Sequence, residues 1–332
     1  MAHFDLPLAG LRAYRSASTA PDDLDAFWQR TIGEARSAAT APVLTSVDTG
    51  LASVDVRDLT FSGFAGQPVK GWLVTPRQVE GPLPCVVEFI GYGGARGLAH
   101  QWLLWASAGY AHLVMDTRGQ GSNDSLVGAT ADPDSGAPAT RGFVTRGIAD
   151  PETYYYRRLF TDAVRAVDVA RALDVVDAAR VAVSGNSQGG AMAIAATALG
   201  DGVAAAMVGV PFLCDIERAM GLVDTAPYGE LVTYCRTHRY RVGQVRRTLS
   251  YVDGVHLAAR ASAATLFAVG LMDEVCPPST VFAAYNAWAG ADKQIEVWEY
   301  DGHDGGAGHQ EAVQVRWLAE RIGAAPGVGA GD

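Results

Sequence analysis

A serine set between glycines offers the clearest chemistry in this chain. Residues 185–189 read Gly-Asn-Ser-Gln-Gly and fit the pattern G-x-S-x-G around Ser187. An apolar stretch precedes this turn, and a run of small residues suited to a helix, 191–199, follows it. In that context the turn holds the serine hydroxyl exposed at the end of a strand, and the glycines prevent collisions between strand and helix. The pattern therefore predicts a nucleophile at Ser187 and not an ordinary serine in a glycine-rich turn.

A serine hydroxyl becomes a strong nucleophile when a base takes its proton and a carboxylate orients that base. For a serine on such a turn the chain order is serine, then acid, then histidine. The predicted acid is Asp273, which follows a predicted strand and precedes a Pro-Pro turn, and its neighbour Glu274 is the alternative. The predicted base is His303, three residues after the last predicted strand, and His309 is the alternative. Together these residues predict acyl transfer through a covalent intermediate.

Acyl transfer also needs hydrogen-bond donors for the negative charge that develops on the carbonyl oxygen. One predicted donor is the backbone N–H of Gln188, directly after the nucleophile. The second is the backbone N–H of Tyr92, in a Gly-Tyr-Gly-Gly loop at 91–94 that carries neither phosphate-binding pattern, G-K-[ST] or G-x-G-x-x-G.

A second polar segment, Arg118-Gly119-Gln120-Gly121, follows another predicted strand. We expect this segment to support the site structurally and not chemically, with Arg118 pairing with a carboxylate and bracing the floor of the site.

These residues require a sheet that brings the ends of several strands together. Alternating residues predict an antiparallel opening pair at 54–61 and 69–74, and apolar runs predict buried strands at 85–90, 111–115, 180–184, 204–210, 265–269 and 295–300. Helical stretches lie at 21–39, 155–173, 189–199, 280–289 and 309–322. Strands alternating with helices predict an α/β fold with a mostly parallel, eight-stranded sheet and helices on both faces.

The chain is predicted to form one domain over residues 1–332. It carries an N-terminal helical extension (1–40), an insertion or lid region after the sixth strand (211–262) and a flexible Gly/Ala tail (323–332). The segment 117–153 is rich in Gly, Asp and Pro and is predicted to be irregular.

Composition excludes several classes of protein. The 332 residues are 49% hydrophobic and carry a net charge of −10, which disfavours binding to nucleic acid. The four cysteines show no metal-ligand spacing, and we expect neither a metal nor a cofactor. The N-terminus lacks a secretory signal, and the longest nearly apolar run, 203–214, is too short to span a bilayer. We expect a cytoplasmic protein that binds no membrane.

At this point the sequence resembles the acetyl xylan esterase / cephalosporin C deacetylase family of carbohydrate esterases, on the α/β-hydrolase fold. The resemblance rests on Arg-Gly-Gln-Gly at 118–121 together with Gly-x-Ser-Gln-Gly-Gly at 185–190. Further matches are Asp-Leu-Pro-Leu at 5–8, the loop at 91–94, and Asp273 ahead of Cys-Pro-Pro-Ser at 276–279. The family's His-Glu pair is here His303-Asp304, with a shorter acidic side chain.

The resemblance implies a serine esterase that removes acetyl groups from small acetylated substrates such as xylo-oligosaccharides and cephalosporin C. It implies a triad of Ser187, Asp273 and His303, with Tyr92 and Gln188 binding the oxyanion. It also implies an intracellular homo-hexamer whose active sites face an internal chamber.

Three other functions stay open on the residues alone. One is a general short-chain carboxylesterase that acts on another acetylated metabolite, and a second is a peptidase of the prolyl oligopeptidase type, whose additional propeller domain would not fit this length. The third is a non-catalytic binding protein on the same fold, which would require a broken triad. Trp105 and Phe212 are candidates for the wall of a small acyl pocket.

Overall fold

The computed structural model of the chain describes residues 3–77, 81–122, 126–133, 136, 139 and 141–323. Within these ranges, nine strands form one sheet in the order β1-β2-β3-β5-β4-β6-β7-β8-β9. The strands are β1 (Val43–Val47), β2 (Val54–Ser62), β3 (Pro68–Pro76), β4 (Leu83–Phe89), β5 (Ala111–Met115), β6 (Val176–Asn186), β7 (Val203–Gly209), β8 (Ala264–Gly270) and β9 (Lys293–Trp298). Strands β1, β2, β3 and β5 pair antiparallel, whereas β5, β4, β6, β7, β8 and β9 pair parallel.

Eleven α-helices accompany this sheet in the described ranges. They are α1 (Leu8–Ala13), α2 (Leu24–Ser37), α3 (Leu104–Ser107), α4 (Tyr155–Ala172), α5 (Gln188–Leu199), α6 (Ile216–Leu222), α7 (Tyr228–Thr237), α8 (Val242–Ser250), α9 (Gly254–Ala258), α10 (Pro278–Ala287) and α11 (Ala307–Ile322). Short 3-10 turns lie at Phe64–Gly66, Ala99–Gln101, Phe143–Thr145 and Arg239–Arg241.

Helices cover both faces of the sheet, because the central strands are apolar on both sides. Along β4, Cys85 and Val87 belong to the large core beneath α4, α5 and α10. Val86, between them, packs on the opposite face with Trp105 and with Trp317 of α11. Successive residues of a strand point to opposite faces, so an uninterrupted apolar run is what a strand covered on both faces requires. The predicted mostly parallel sheet with flanking helices, the α/β-hydrolase fold, is confirmed.

The predicted number of eight strands is wrong by one. The missed strand, β1, is an antiparallel edge strand that pairs with β2 from Val43↔Thr60 to Val47↔Val56. None of its residues is buried, so it shows neither the buried apolar run nor the alternation of buried and exposed residues by which the other strands were predicted. The serine turn therefore follows the sixth strand and the insertion follows the seventh.

Two segments outside the sheet are helical. Helices α1 and α2 lie within residues 1–40, and helices α6, α7, α8 and α9 lie within residues 211–262. Of the predicted flexible tail, 324–332 lies outside the described residues, as do parts of the predicted irregular segment 117–153. Among the helices that the structure describes, none has the length and apolar character needed to cross a membrane.

The parallel strands end in register at one edge of the sheet. Phe89 of β4 pairs with Gly185 of β6, and Asn186 pairs with Gly209 of β7. Gly270 of β8 pairs with Trp298 of β9. The loops that follow β4, β6, β8 and β9 therefore emerge side by side, which is where open α/β sheets bind their ligands.

Candidate active site

The turn after β6 holds Ser187 in a strained backbone conformation. Its φ is 58° and its ψ is −118°, a region that side-chain-bearing residues rarely adopt. The turn is held by three backbone hydrogen bonds: the Ser187 N–H donates to Gly209 O (2.9 Å), and its carbonyl accepts from Ala191 N (3.1 Å) and Phe212 N (3.0 Å). Helix α5 begins at the next residue, so its free N–H groups and dipole lie beside the serine.

The two glycines flanking the serine are required by close backbone contacts. A Cβ at Gly185 would lie 2.4 Å from the carbonyl carbon of Gly189, and a Cβ at Gly189 would lie 2.2 Å from Phe89 O. Both distances are far inside van der Waals contact, so any side chain would push α5 away from β4 and β6. This is the collision that the G-x-S-x-G pattern avoids.

Asp273 and His303 meet above the ends of β8 and β9. Asp273 is fully buried, and its Oδ1 accepts hydrogen bonds from the backbone N–H groups of Val275 (2.8 Å) and Cys276 (2.9 Å). Its Oδ2 lies 2.8 Å from His303 Nδ1. Because an ionised carboxylate can only accept, Nδ1 carries the hydrogen and Nε2 is left as the basic atom. The structure thus pairs the predicted acid with the predicted base.

The two alternative residues point elsewhere. Glu274 is exposed, and its backbone carbonyl accepts from the hydroxyl of Thr225. His309 lies in the first turn of α11, where its exposed ring contacts Trp298 at 6.1 Å between centroids. Asp304, at the position of the family's Glu, is exposed as well.

Ser187 and His303 line the same cavity, which has a volume of about 330 Å³. Its apolar walls come from Ile90, Leu126, Ala226, Pro227 and Val275. Within the described residues no hydrogen bond joins the Ser187 hydroxyl to His303, and such catalytic bonds often form only when substrate is bound.

The interpretation of Trp105 and Phe212 as acyl-pocket walls is wrong. Trp105 packs against Tyr110 on the opposite face of the sheet. Phe212 is fully buried beneath the serine turn, where it contacts Tyr92 and Tyr228. The sequence carried no signal for the actual walls, because they come from five positions spread between residues 90 and 275.

One predicted oxyanion donor, Tyr92, lines the cavity, and the other, Gln188, directly follows Ser187, which also lines it. Gln188 is the first residue of α5, and Tyr92 lies in the loop after β4. In the part of the chain that the structure describes, the backbone N–H groups of these two residues donate to no other protein group. The loop is anchored by the Tyr92 phenol, which donates to Glu230 Oε2 (2.8 Å) and accepts from Gly142 N (3.2 Å) and Val144 N (3.1 Å). Burial raises the pKa of the Tyr92 phenol and that of the Glu230 carboxyl. Tyr92 therefore remains a neutral donor.

Gln120 connects the two sides of this oxyanion site. Its amide oxygen accepts from Gly93 N (2.6 Å), and its amide nitrogen donates to Gln188 Oε1 (2.9 Å) and Tyr155 Oη (2.9 Å). The side chain of Gln188 in turn donates to Ile90 O (3.1 Å). A single buried amide thus ties the loop after β4 to the first residue of α5.

The remainder of the 118–121 segment lies beneath this connection. Gly121 N donates to Gly93 O (3.2 Å), and Gly119 N donates to Thr130 O (2.9 Å). Arg118 is fully buried and binds Asp162 through Nε (2.5 Å) and Nη2 (2.8 Å). Burial alone would lower the pKa of Arg118, but the Asp162 and Asp132 carboxylates outweigh it and raise that pKa. These contacts support the predicted bracing role.

Sequence reasoning missed the partners of Arg118. Asp162 lies 44 residues away on α4, and Gln67, which accepts from Arg118 Nη1 (2.6 Å), lies 51 residues away. No spacing rule connects positions so distant, and an Asp within a helix is usually solvated.

The Gln120 connection leads to a testable expectation. We expect Gln120→Ala to lower kcat for ester hydrolysis by about ten- to a hundredfold, because misplacing one oxyanion donor has an effect of that order or larger. KM should change less than kcat, since the donors act mainly on the transition state. Steady-state kinetics on a simple acetyl ester measures both.

A nearby buried residue supplies the control. Within the described residues the hydroxyl of Thr117 is buried and has no hydrogen-bond partner. Thr117→Val should therefore leave kcat unchanged. Equal losses in the two variants would show that any perturbation of this segment impairs the enzyme, which would contradict a specific role for the amide.

The arrangement as a whole can perform acyl transfer. It holds a strained serine, a histidine polarised by a buried carboxylate, and two backbone N–H groups beside one small apolar cavity. In the described ranges no group of three or more His, Cys, Asp or Glu residues is placed to hold a metal ion.

Comparisons with known proteins find acetyl xylan esterases. The family model for acetyl xylan esterase (AXE1) matches residues 1–321. Acetyl esterase Axe7A of Xylanibacter ruminicola is 26% identical over 91% of this chain and 67% of its own length. The solved acetyl xylan esterase from Paenibacillus sp. R4 is 37% identical with a TM-score of 0.88, covering 96% of this chain and 100% of that one. Acetyl xylan esterase 1 from Thermoanaerobacterium sp. JW/SL YS485 is 32% identical with a TM-score of 0.86, covering 96% and 99%.

Proposed function

The chain belongs to the acetyl xylan esterase family of carboxylic ester hydrolases, and on that premise we propose that it removes acetyl groups from small acetylated substrates, including xylo-oligosaccharides and cephalosporin C. One observation carries this proposal: the buried Asp273 holds His303 at 2.8 Å beside the cavity onto which the strained Ser187 opens. We infer that these three residues act as a catalytic triad.

The proposed mechanism passes through an acyl-enzyme. His303 Nε2 takes the proton of Ser187 as the Ser187 oxygen attacks the acetyl carbonyl. The backbone N–H groups of Tyr92 and Gln188 stabilise the oxyanion that forms. The tetrahedral intermediate collapses as His303 returns the proton to the leaving alcohol, which leaves an acetyl ester on Ser187. A water then enters, and His303 takes its proton as the water oxygen attacks the acetyl carbonyl. His303 returns that proton to the Ser187 oxygen as the bond to the acetyl group breaks and acetate leaves. Asp273 stabilises the imidazolium at each step.

The walls of the cavity favour a short acyl group. An acetyl methyl fits against apolar side chains such as Leu126, Pro227 and Val275. The cavity that these side chains line has a volume of about 330 Å³, which must hold the acetyl group and the ester bond. That volume is near the lower end for ligand pockets.

The proposal is tested by acetate release from acetylated xylo-oligosaccharides and cephalosporin C, with Ser187→Ala as the blank. Rapid release from both supports a broad small-substrate deacetylase. If neither releases acetate while phenyl acetate is still hydrolysed, the substrate is some other acetylated metabolite. If butanoyl esters are hydrolysed as fast as acetyl esters, the chain is instead a general short-chain carboxylesterase.

We further propose that the chain assembles as a homo-hexamer, as the family resemblance implies. Tyr240 and Tyr300 are 82% and 74% exposed, and aromatic residues of this kind are enriched at protein interfaces. Light scattering should then give a mass six times the 34.9 kDa of one chain. A mass of a single chain would contradict the assembly.

A further inference from the structure

We propose that a groove beside the catalytic cavity binds the sugar units that neighbour the acetylated one, so that the enzyme prefers acetylated oligosaccharides to acetylated monosaccharides. This inference rests on the proposed deacetylase function and adds a binding site for the alcohol side of the ester.

The groove has a volume of about 660 Å³ and is contiguous with the catalytic cavity. Arg141 and Ala226 line both spaces. An acetyl group placed at Ser187 would therefore leave its alcohol at the entrance to the groove. The cavity of about 330 Å³ is too small to hold an oligosaccharide by itself.

One face of α7 forms the main wall of the groove. The residues on this wall are Glu230, Thr233, Tyr234 and Thr237 of α7, with His238 directly after the helix. They lie at positions i, i+3, i+4, i+7 and i+8, the spacing that places side chains on one side of a helix. Arg141 and Thr145 form a second wall opposite this face, so the face borders a groove and not only open solvent.

The groove wall is fixed relative to the catalytic residues. Glu230 accepts the hydrogen bond from the phenol of Tyr92 (2.8 Å), so α7 is tied to the loop that carries a predicted oxyanion donor. A ligand bound along α7 is thereby held in a defined position relative to the oxyanion site, as efficient positioning of an ester requires.

The chemistry of the groove matches a carbohydrate. Threonine hydroxyls and the carboxylates of Asp224 and Glu230 can bind sugar hydroxyls. Tyr234 and His238 pack together at 4.5 Å between ring centroids, and both are only partly buried, which leaves ring surface for the apolar side of a sugar.

The test compares substrates that share the acetyl group and differ in the alcohol. For Tyr234→Ala combined with Thr237→Ala, kcat/KM on acetylated xylotriose should fall about tenfold, mostly through KM, since one stacking contact and one hydrogen bond are lost. The values on acetylated xylose and 4-nitrophenyl acetate should stay unchanged. Tyr234→Phe, which keeps the ring, should retain most of the activity on xylotriose.

Arg236→Ala provides the matched control, because Arg236 is exposed on α7 and does not line the groove. Equal kcat/KM for the double variant and the parent enzyme on acetylated xylotriose would overturn the groove proposal alone. An equal loss on all three substrates would also overturn it, because it would show a structural defect. If the parent enzyme hydrolyses 4-nitrophenyl acetate but neither acetylated sugar, the groove proposal and the proposed function both fail.

Discussion

Ser187→Ala is expected to lower kcat for acetyl-ester hydrolysis by about 10⁶-fold, the size of effect that loss of a serine nucleophile has in other triad hydrolases. Alanine leaves no oxygen to form the acyl-enzyme, so the remaining turnover depends on the oxyanion donors and on water. Alanine also keeps the Cβ and the backbone hydrogen bonds of the turn to Gly209 and Phe212. The loss should therefore lie in chemistry and leave folding and substrate binding intact.

Two measurements check this expectation. Burst kinetics with 4-nitrophenyl acetate should show acyl-enzyme formation in the parent enzyme and none in the variant, and thermal unfolding should show similar stability for both. Ser250 is a partly buried residue of α8 within the insertion, and its hydroxyl donates to Arg247 O (2.8 Å). Ser250→Ala should behave as the parent enzyme does. Residual activity above about one part in a thousand, well beyond what the oxyanion site alone provides, would mean that another residue is the nucleophile.

Asp273→Asn is expected to lower kcat/KM by about 10⁴-fold, through the tautomer of His303. The asparagine carbonyl can still accept from the N–H groups of Val275 and Cys276, as Asp273 Oδ1 does at 2.8 and 2.9 Å. Its amide nitrogen would then replace Oδ2 and donate to His303 Nδ1. That hydrogen bond places the histidine proton on Nε2, so the ring can no longer accept the proton of Ser187.

The neighbouring carboxylate supplies a control one residue away. Glu274 is exposed and does not contact His303 in the described structure, so Glu274→Gln should retain activity within about threefold, as expected of a surface substitution outside the site. If instead Glu274→Gln caused the large loss and Asp273→Asn did not, the acid would be Glu274.

Much of the fold could be predicted because strand burial is a local property. Strands β4, β5, β6, β7 and β8 are buried on both faces, and each appears in the sequence as a short apolar run. Strand β1 escaped prediction for the opposite reason: its side chains are exposed or only partly buried, so no buried apolar run marks this strand in the sequence.

The amino-acid sequence by itself determined the strained turn at Ser187, because the clash of any side chain at Gly185 or Gly189 with the neighbouring backbone is a short-range steric effect. It also determined the order of the candidate acid and base, because the ends of successive parallel strands meet at one edge of the sheet. Only the tertiary structure decided which of two adjacent acids faces His303, which amide joins the two sides of the oxyanion site, and which face of α7 borders the groove. Each of these depends on contacts such as Asp273–His303 and Gln120–Gln188, which join residues 30 and 68 positions apart. Packing of the whole chain sets such distances, and spacing along the sequence does not encode them.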